Sequence, residues 1–316
     1  MNLIKTVLIS ALFVFALSCD NTKSSLTLFS DQIPMDAPLV FGQGLVSIED
    51  AMDFAITFNP EMDEMYFTRR FPGGRNNIFV SKLIDNSWTT PELASFSSED
   101  TWEFEPHVDP TGGRLYFGST RPINDSVQSP GLIQWYCEKS ENGWSAPVPM
   151  QHPVVSTYMM YLTSSKNGNL YFTSQEEGAN IEEGGIYYSY LEEGKYNEIK
   201  RMGEEINQGK MIAHSFIAPD ESYMIFDGKK SSGFGDSDLY ISFNTNDSWT
   251  KAVNLGSKIN TEQTEMAPSV SPDGKYLFFH RGYEVDSEGE DGSEWFGNIY
   301  WVDFSSVLEN IKELDQ

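Results

Sequence analysis

Tight-turn sequences recur five times along this chain, and each one separates two short apolar segments. Pro, Asp, Asn and Gly dominate these turns, and they adopt the backbone angles that a two-stranded hairpin needs. After each turn, the second segment closes on Tyr-Phe or a close variant. The turns lie at Asn59-Pro60-Glu61, Asp109-Pro110-Thr111-Gly112, Ser165-Lys166-Asn167-Gly168, Ala218-Pro219-Asp220 and Ser271-Pro272-Asp273-Gly274. The sequence therefore predicts five hairpins of one repeated type.

Two further segments complete each repeat. Successive phenylalanines that end the second segments lie 50 to 55 residues apart, which gives the length of the repeat. These are Phe67, Phe117, Phe172, Phe226 and Phe279. A third segment, rich in aromatic and β-branched residues, follows at 77–80, 134–137, 185–188, 238–241 and 298–301. A fourth segment begins with an aromatic residue, at 88–93, 144–148, 196–199 and 249–253. Four strands at this period predict an all-β fold, a β-propeller of four-stranded antiparallel blades.

The fifth repeat has no fourth segment, whereas an unpaired candidate strand, Asp36 to Phe41, precedes the first repeat. If this N-terminal strand forms the outer edge of the last blade, five repeats make five complete blades. The repeats are too evenly spaced to leave a gap of about 40 residues for a further blade. We therefore predict five blades, with a six-bladed ring as the alternative.

The segment Ser271 to Phe279 resembles the WD-like repeat of TolB-type β-propellers, which occur in bacterial envelope proteins and in the propeller domains of prolyl oligopeptidases. The resemblance extends from Ala37 to Phe304 and is strongest in the fifth repeat. It implies envelope protein partners. Propellers carry many unrelated functions, so the resemblance speaks mainly for the fold. No Gly-x-Ser-x-Gly motif is present, so peptidase activity of the prolyl oligopeptidase type is not expected.

The N-terminus resembles a bacterial lipoprotein signal. A short basic segment precedes the apolar run Thr6 to Leu17, and Ser18 precedes Cys19. Cleavage elsewhere, as in an ordinary signal peptide, is the alternative. We predict a signal peptide at 1–18, a lipidated N-terminus with a flexible tether at 19–34, and a propeller at 35–316. Cys137, the second of the two cysteines, is expected to be a small buried hydrophobe.

The charge of the chain excludes some partners. Asp and Glu number 47 against 21 Lys and Arg, and no basic cluster is present. Binding to nucleic acid is therefore not expected, and neither is electrostatic adhesion to anionic lipid. We expect a monomer that contacts the membrane only through the lipid at Cys19, in the cell envelope of a Gram-negative bacterium.

Candidate binding residues lie on the innermost strands, which line the channel of a propeller. Alignment on the turns makes Asp53, Glu103, Tyr158, Ile212 and Glu265 equivalent. Two residues later come Ala55, Glu105, Met160, His214 and Ala267, and alternate residues of a strand share a face. We therefore predict a ligand-binding channel mouth formed by Asp53, Glu103, Glu105, His214 and Glu265.

These residues admit a functional and a structural interpretation. An acidic funnel binds a polyhydroxylated ligand or a divalent cation such as calcium, or it places two carboxylates for glycoside hydrolysis. The structural interpretation, which we favour, has the acids bonding backbone N–H groups of a neighbouring blade. Basic and amide residues after the second strands are then expected to pair with acids of adjacent blades, and they are Arg70, Arg121, Gln175, Lys229 and Arg281.

Other motifs carry less information. His107 and His214 lack the spacing of a zinc site, and no cofactor is expected. The acidic segment Glu284 to Glu294 lacks the ordered ligand spacing of a calcium-binding loop, so a solvated loop is expected. The sequence thus favours a non-catalytic module that binds an envelope protein, peptide or glycan. A carbohydrate-active enzyme with an acidic central funnel is the alternative.

Overall fold

The computed structural model describes residues 32–123, 131–176, 178–246, 248–286 and 293–314. The predicted signal peptide, Cys19 and most of the tether lie outside the described residues, as does the middle of the acidic segment 284–294. The described residues form mostly β-structure, and the all-β prediction is confirmed. In the described residues, five antiparallel units of four main strands each follow one another, and we number them sheets 1 to 5, although the fifth and the first are hydrogen-bonded into one nine-stranded sheet.

The strands occupy equivalent places in the five sheets. The inner strands are Met52–Phe58, Glu103–Val108, Met160–Ser164, Lys210–Ile217 and Thr264–Val270. The second strands are Glu64–Arg70, Arg114–Ser119, Leu170–Ser174, Tyr223–Lys229 and Tyr276–Asp286. The third strands are Asn77–Ile84, Ile133–Ser140, Gly185–Ser189, Asp238–Thr245 and Ser293–Asp303. The outer strands are Glu92–Leu93, Val148–Pro149, Lys200–Arg201, Val253–Asn254 and, for the fifth sheet, Leu39–Val40.

Short additional strands and helices lie outside these four-stranded sheets. Short strands extend the third strands at Ser87–Trp88, Gly143–Trp144 and Ser248–Trp249, and Leu191–Glu192 pairs with Lys195–Tyr196. The aromatic start of each predicted fourth segment thus forms a small hairpin, and the outer strand follows it. The helices are Glu204–Asn207 and Phe304–Leu314, with 3₁₀ turns at Val154–Ser156 and Ile181–Glu183.

The outer strand of the fifth sheet comes from the other end of the chain. Leu39 pairs with Trp301 and Val40 pairs with Tyr300, both antiparallel. Phe41, the next residue, is fully buried and lies 5.4 Å from the Trp301 ring, centroid to centroid. A single parallel bridge between Met52 and Gly297 joins the fifth sheet to the first. The two ends of the chain therefore share one core.

Apolar side chains fill the spaces between neighbouring sheets. One cluster joins sheets 1 and 2, and equivalent clusters join 2 and 3, 3 and 4, 4 and 5, and 5 and 1. The inner strands contact one another in the same cyclic order. Cys137, fully buried in the cluster between sheets 1 and 2, is a free thiol, as the sequence predicts. Within the described part of the chain, no helix is long and apolar enough to cross a bilayer.

Candidate functional site

Three of the four predicted acids form salt bridges inside their own sheets. Asp53 lies 2.6 Å from Arg69 Nε, and Glu265 lies 2.7 Å from Arg281 Nε. Glu103 pairs with Arg121. The three carboxylates are fully buried, because each lies under its arginine and the loop that precedes its strand. The expectation of pairing between adjacent blades was wrong for Arg121 and Arg281, and Asp53 pairs with Arg69 rather than Arg70.

Each carboxylate also fixes the loop that leads into its strand. It accepts a backbone hydrogen bond from a residue four or five positions earlier, and the donors are Ile48 to Asp53 (3.2 Å), Ser98 to Glu103 (2.9 Å) and Thr261 to Glu265 (2.8 Å). The same loops are held from the other side, because the arginine side chains donate to the carbonyls of Val46 (2.7 Å), Phe96 (2.9 Å) and Ile259 (2.7 Å). The N–H donors thus lie in the connection between blades.

The three arginines also stack on aromatic rings of their own sheets. Arg281 lies 4.6 Å from the centroid of Tyr300 and 5.5 Å from that of Phe279. Arg121 stacks on Phe117 and Trp135, at 5.1 and 5.4 Å. A buried guanidinium with a carboxylate on one side and π-faces on the other is well compensated. The repeated arrangement explains why acids recur at this position.

Burial affects the ionisation of these acids. It raises the pKa of Asp53 to about 6, although the charge of Arg69 and its hydrogen bond act in the opposite direction. Burial likewise raises the pKa of Glu265, against the hydrogen bonds from Thr261 and the charge of Arg281. Both groups interact with neighbours in their own sheet, and their geometry favours support of the channel over direct contact with a ligand.

A backbone bulge recurs in the middle of every inner strand. Each bulge places one residue in the left-handed region, and these residues are Ala55 (φ 54°), Glu105 (61°), Tyr161 (48°), His214 (46°) and Ala267 (54°). In the third sheet the bulged residue is Tyr161. The alignment of the five repeats placed Met160 at this position, so it is off by one residue in the third repeat. Bulges re-aim side chains, and here they turn the predicted second set of residues towards the axis.

The residue after each closing phenylalanine stands next to this bulge in the neighbouring sheet. Thr68 accepts a hydrogen bond from the N–H of Glu105 (2.8 Å), and Thr173 accepts one from that of His214 (2.8 Å). Asp227 accepts one from Ala267 (3.0 Å). In the second sheet this position is Gly118, which has no side chain, and the carboxylate of Glu105 itself accepts the N–H of Tyr161 (2.6 Å).

Glu105, Tyr161, His214, Asp227 and His280 form an axial cluster. His214 Nδ1 lies 2.8 Å from Asp227, and its Nε2 lies 3.5 Å from Glu105. His280 Nδ1 donates to the carbonyl of Asp53 (2.8 Å), while its Nε2 has no hydrogen-bond partner within the described residues. The Tyr161 hydroxyl donates to the carbonyl of Pro268 (2.6 Å). The cluster therefore connects sheets 2, 3, 4 and 5 across the axis.

The electrostatics of this cluster centre on His214. Burial lowers the pKa of its imidazole, but the carboxylates of Asp227 and Glu105 outweigh burial and raise it to about 10. Burial raises the pKa of Asp227, against the charge of His214. We place the proton on the imidazole, because both of its ring nitrogens face carboxylates. His280 remains neutral, since burial lowers its pKa to about 4.

Sequence reasoning found Glu105 and His214 but missed Asp227 and His280. Both missed residues directly follow a closing phenylalanine, and that shared position was available in the sequence. His107, the other histidine considered, lies elsewhere and accepts a hydrogen bond from the Ser164 N–H (3.0 Å). Among the described residues, no group of three or more His, Cys, Asp or Glu has the arrangement of a metal site.

The edge of the sheets opposite the tight turns carries exposed apolar side chains. Inner strands begin and second strands end at this loop edge. Six of the large apolar residues exposed there, with exposed fractions of 36 to 51%, define the loop-edge rim: Phe71, Trp102, Tyr158, Met211, Phe234 and Tyr283. Every sheet contributes at least one of them. Sequence reasoning missed this set, because the type of a residue does not determine whether its side chain is exposed.

The chain has weak likenesses to known proteins. No protein-family model matches it, and no curated protein is similar to it. Similar solved structures include TolB from Acinetobacter baumannii (15% identity, TM-score 0.48), covering 79% of this chain and 56% of that chain. They also include an α-L-arabinofuranosidase from Lactobacillus brevis (13%, 0.46, covering 80% and 91%) and a GH43 endo-arabinanase from Bacillus licheniformis (14%, 0.45, covering 82% and 94%). This chain thus spans a little over half of the length of that TolB. With TM-scores below 0.5, these likenesses carry no argument about function.

Proposed function

We propose that this protein is a non-catalytic binding module of the bacterial cell envelope, built as a five-bladed β-propeller and anchored by lipid at Cys19. Its loop-edge rim binds an envelope protein or peptide, and it works as a monomer. The six exposed apolar residues of the rim are the observation that carries this proposal. Burial of aromatic side chains supplies much of the binding energy at protein interfaces.

Strand pairing and packing support the ring. Five sheets of four strands contact in cyclic order, and the N-terminal strand completes the fifth sheet. Such closure covers the outer edge of the third strand of the last sheet. The five-bladed ring is therefore preferred to the six-bladed alternative.

The state of the carboxylates argues against catalysis. Glycoside hydrolysis needs one carboxyl group as acid and another as base or nucleophile, both in contact with the sugar. Asp53, Glu103 and Glu265 are fully buried and bonded to arginines. Glu105 shares His214 with Asp227, so it too has a protein partner. Glu105 and His214 in our proposal shape the floor of the channel under the rim.

The rim itself favours a polypeptide over a glycan. Sugar hydroxyl groups need several free polar partners beside the aromatic rings, whereas the predicted acids are already bonded within the protein. Met211 and Phe234 extend the apolar surface beyond the tyrosine and tryptophan rings. An apolar segment of a partner chain matches such a surface, because both sides lose contact with water.

Cross-linking in the native envelope tests this proposal. A tagged form of this protein is cross-linked in the envelope and purified, and the protein captured with it is identified. That partner is then purified separately, and its Kd for the propeller is measured directly. The variant Trp102→Ala/Tyr158→Ala removes two rim rings and is expected to weaken binding at least ten-fold. The matched control, Ile84→Ala/Val148→Ala, removes exposed apolar side chains elsewhere and should leave the Kd unchanged.

Two results would contradict the proposal. Equal loss of affinity in the rim variant and in its control would mean that the rim is not the binding surface. Turnover of an oligosaccharide by the purified chain, abolished by Glu105→Gln, would identify an enzyme instead.

A further inference from the structure

A cavity of about 300 Å³ lies at the turn edge, on the face opposite the rim. Every sheet contributes at least one apolar residue to its wall, among them Ile56, Val108, Leu162, Phe216 and Val270. Its volume falls at the lower end of the range for small-molecule sites, which are concave and mostly apolar. Of the five predicted site residues only Glu105 lines it, together with His107 and Asp109, and none of the rim residues does.

The polar groups of the wall already join one sheet to the next. The Ser269 hydroxyl donates to the carbonyl of Ile56 (2.7 Å), and the Thr163 hydroxyl donates to that of Ser215 (2.7 Å). Thr57 accepts a hydrogen bond from the Val108 N–H (3.2 Å). The wall is therefore preformed, and filling the cavity needs no rearrangement of these bonds.

Two hydrogen-bond donors that line the cavity have no side-chain partner among the described residues. Lys166 is exposed and its ammonium group makes no salt bridge within the described residues, although its backbone N–H is fixed on the Pro219 carbonyl (2.8 Å). Tyr223 also lines the cavity, and its hydroxyl has no hydrogen bond to any described residue. The neighbouring carboxylate of Asp109 is bonded to its own turn, through Thr111 and the Arg114 N–H.

We propose that this cavity binds a small carboxylic acid with an apolar body, the body filling the chamber and the carboxylate meeting Lys166 and Tyr223. An ammonium group and a phenol hydroxyl are both donors, and a carboxylate offers only acceptors. Two carboxylates also line the cavity, but Glu105 faces His214 and Asp109 is bonded within its own turn, which leaves the ammonium group of Lys166 as the lining cation that a carboxylate can meet. The negative charge of the remote surface is screened at physiological salt. The site is independent of partner binding at the rim.

Calorimetry with two probes tests the site. Octanoate and 1-octanol have similar apolar bodies, and only octanoate carries a carboxylate. The full chain with Cys19→Ala is used, so that no detergent competes for the cavity. Octanoate should bind more tightly than octanol, and Lys166→Met should weaken octanoate about ten-fold, the loss expected for a hydrogen bond to a charged group, with no effect on octanol.

Matched variants locate the binding. Lys195→Met removes an exposed lysine from the same repeat and should leave both probes unaffected. Val270→Phe fills the chamber and should weaken both probes, whereas the rim variant Trp102→Ala/Tyr158→Ala should weaken neither. Failure of octanoate to bind at millimolar concentration overturns the proposal, and so does equal binding by Lys166→Met. Loss of octanoate binding in the rim variant would place the probe at the rim and also overturn it.

Discussion

Replacing His214 by Asn should remove a pH-dependent part of the free energy of unfolding. The folded protein raises the pKa of His214 from its ordinary 6.5 to about 10. A raised pKa means that this stabilisation is complete below pH 6.5 and is lost as the pH rises through 10. The full difference corresponds to about 5 kcal/mol, at about 1.4 kcal/mol for each pH unit.

Asparagine is the appropriate substitution because of the backbone. His214 has φ 46°, a left-handed conformation that Asn tolerates better than most residues. The variant therefore loses the cation between Asp227 and Glu105 without new backbone strain. Removal of one partner from a buried ion pair typically costs 3–5 kcal/mol near neutral pH.

Urea unfolding, followed by tryptophan fluorescence from pH 6.5 to 10, measures the effect. The quantity of interest is the difference in unfolding free energy between the two proteins at each pH. Lys230, whose pKa burial lowers to about 8, adds stability as the pH rises, but it does so in both proteins and cancels. The difference should shrink steadily towards pH 10. A difference that stays constant over this range would refute a charged His214 in the folded protein.

Three further outcomes are expected. Deletion of residues 20–41 should lower the Tm markedly, because the fifth sheet loses its outer strand and the buried Phe41, and an unchanged Tm would contradict ring closure. Cys19→Ala should release the protein from membranes in a fractionation assay, and persistent membrane association would argue against lipidation. Arg281→Met should cost about 3–5 kcal/mol in urea unfolding, because Glu265 is left buried without its cation, and Glu265→Gln/Arg281→Met should recover part of that loss. If the double variant is no more stable than Arg281→Met, the pair is not coupled as the geometry indicates.

Much of the secondary structure was predictable because its causes are local. Pro110 and Gly112 set turn geometry through their own backbone preferences, and Leu115 to Phe117 fit a buried pleated strand wherever that strand packs. The same holds in every repeat, so the number of hairpins and their order follow from the sequence. The N-terminal strand was predictable for a different reason, since the fifth repeat visibly lacked one segment.

Contacts between residues of different sheets were not predictable. Glu105 and His214 are 109 positions apart, and their contact exists only because two bulged strands from different sheets turn towards one axis. Tyr161 shows why sequence alignment of the repeats was not sufficient. Its bulge shifts the third repeat by one position, and the residues Met160 and Tyr161 give no sign of that shift. Asp227 was overlooked although its place after Phe226 repeats that of Thr68 and Thr173.

By itself, the sequence determined the repeat, the strands and the position at which acids recur, because turn geometry and strand preference act over a few residues. Only the tertiary structure decided what those acids do. It gave Asp53, Glu103 and Glu265 arginine partners in their own sheets, and it set a histidine between Glu105 and Asp227. Charge pairing and exposure depend on which chain segments meet in space, and that information is spread over the whole chain.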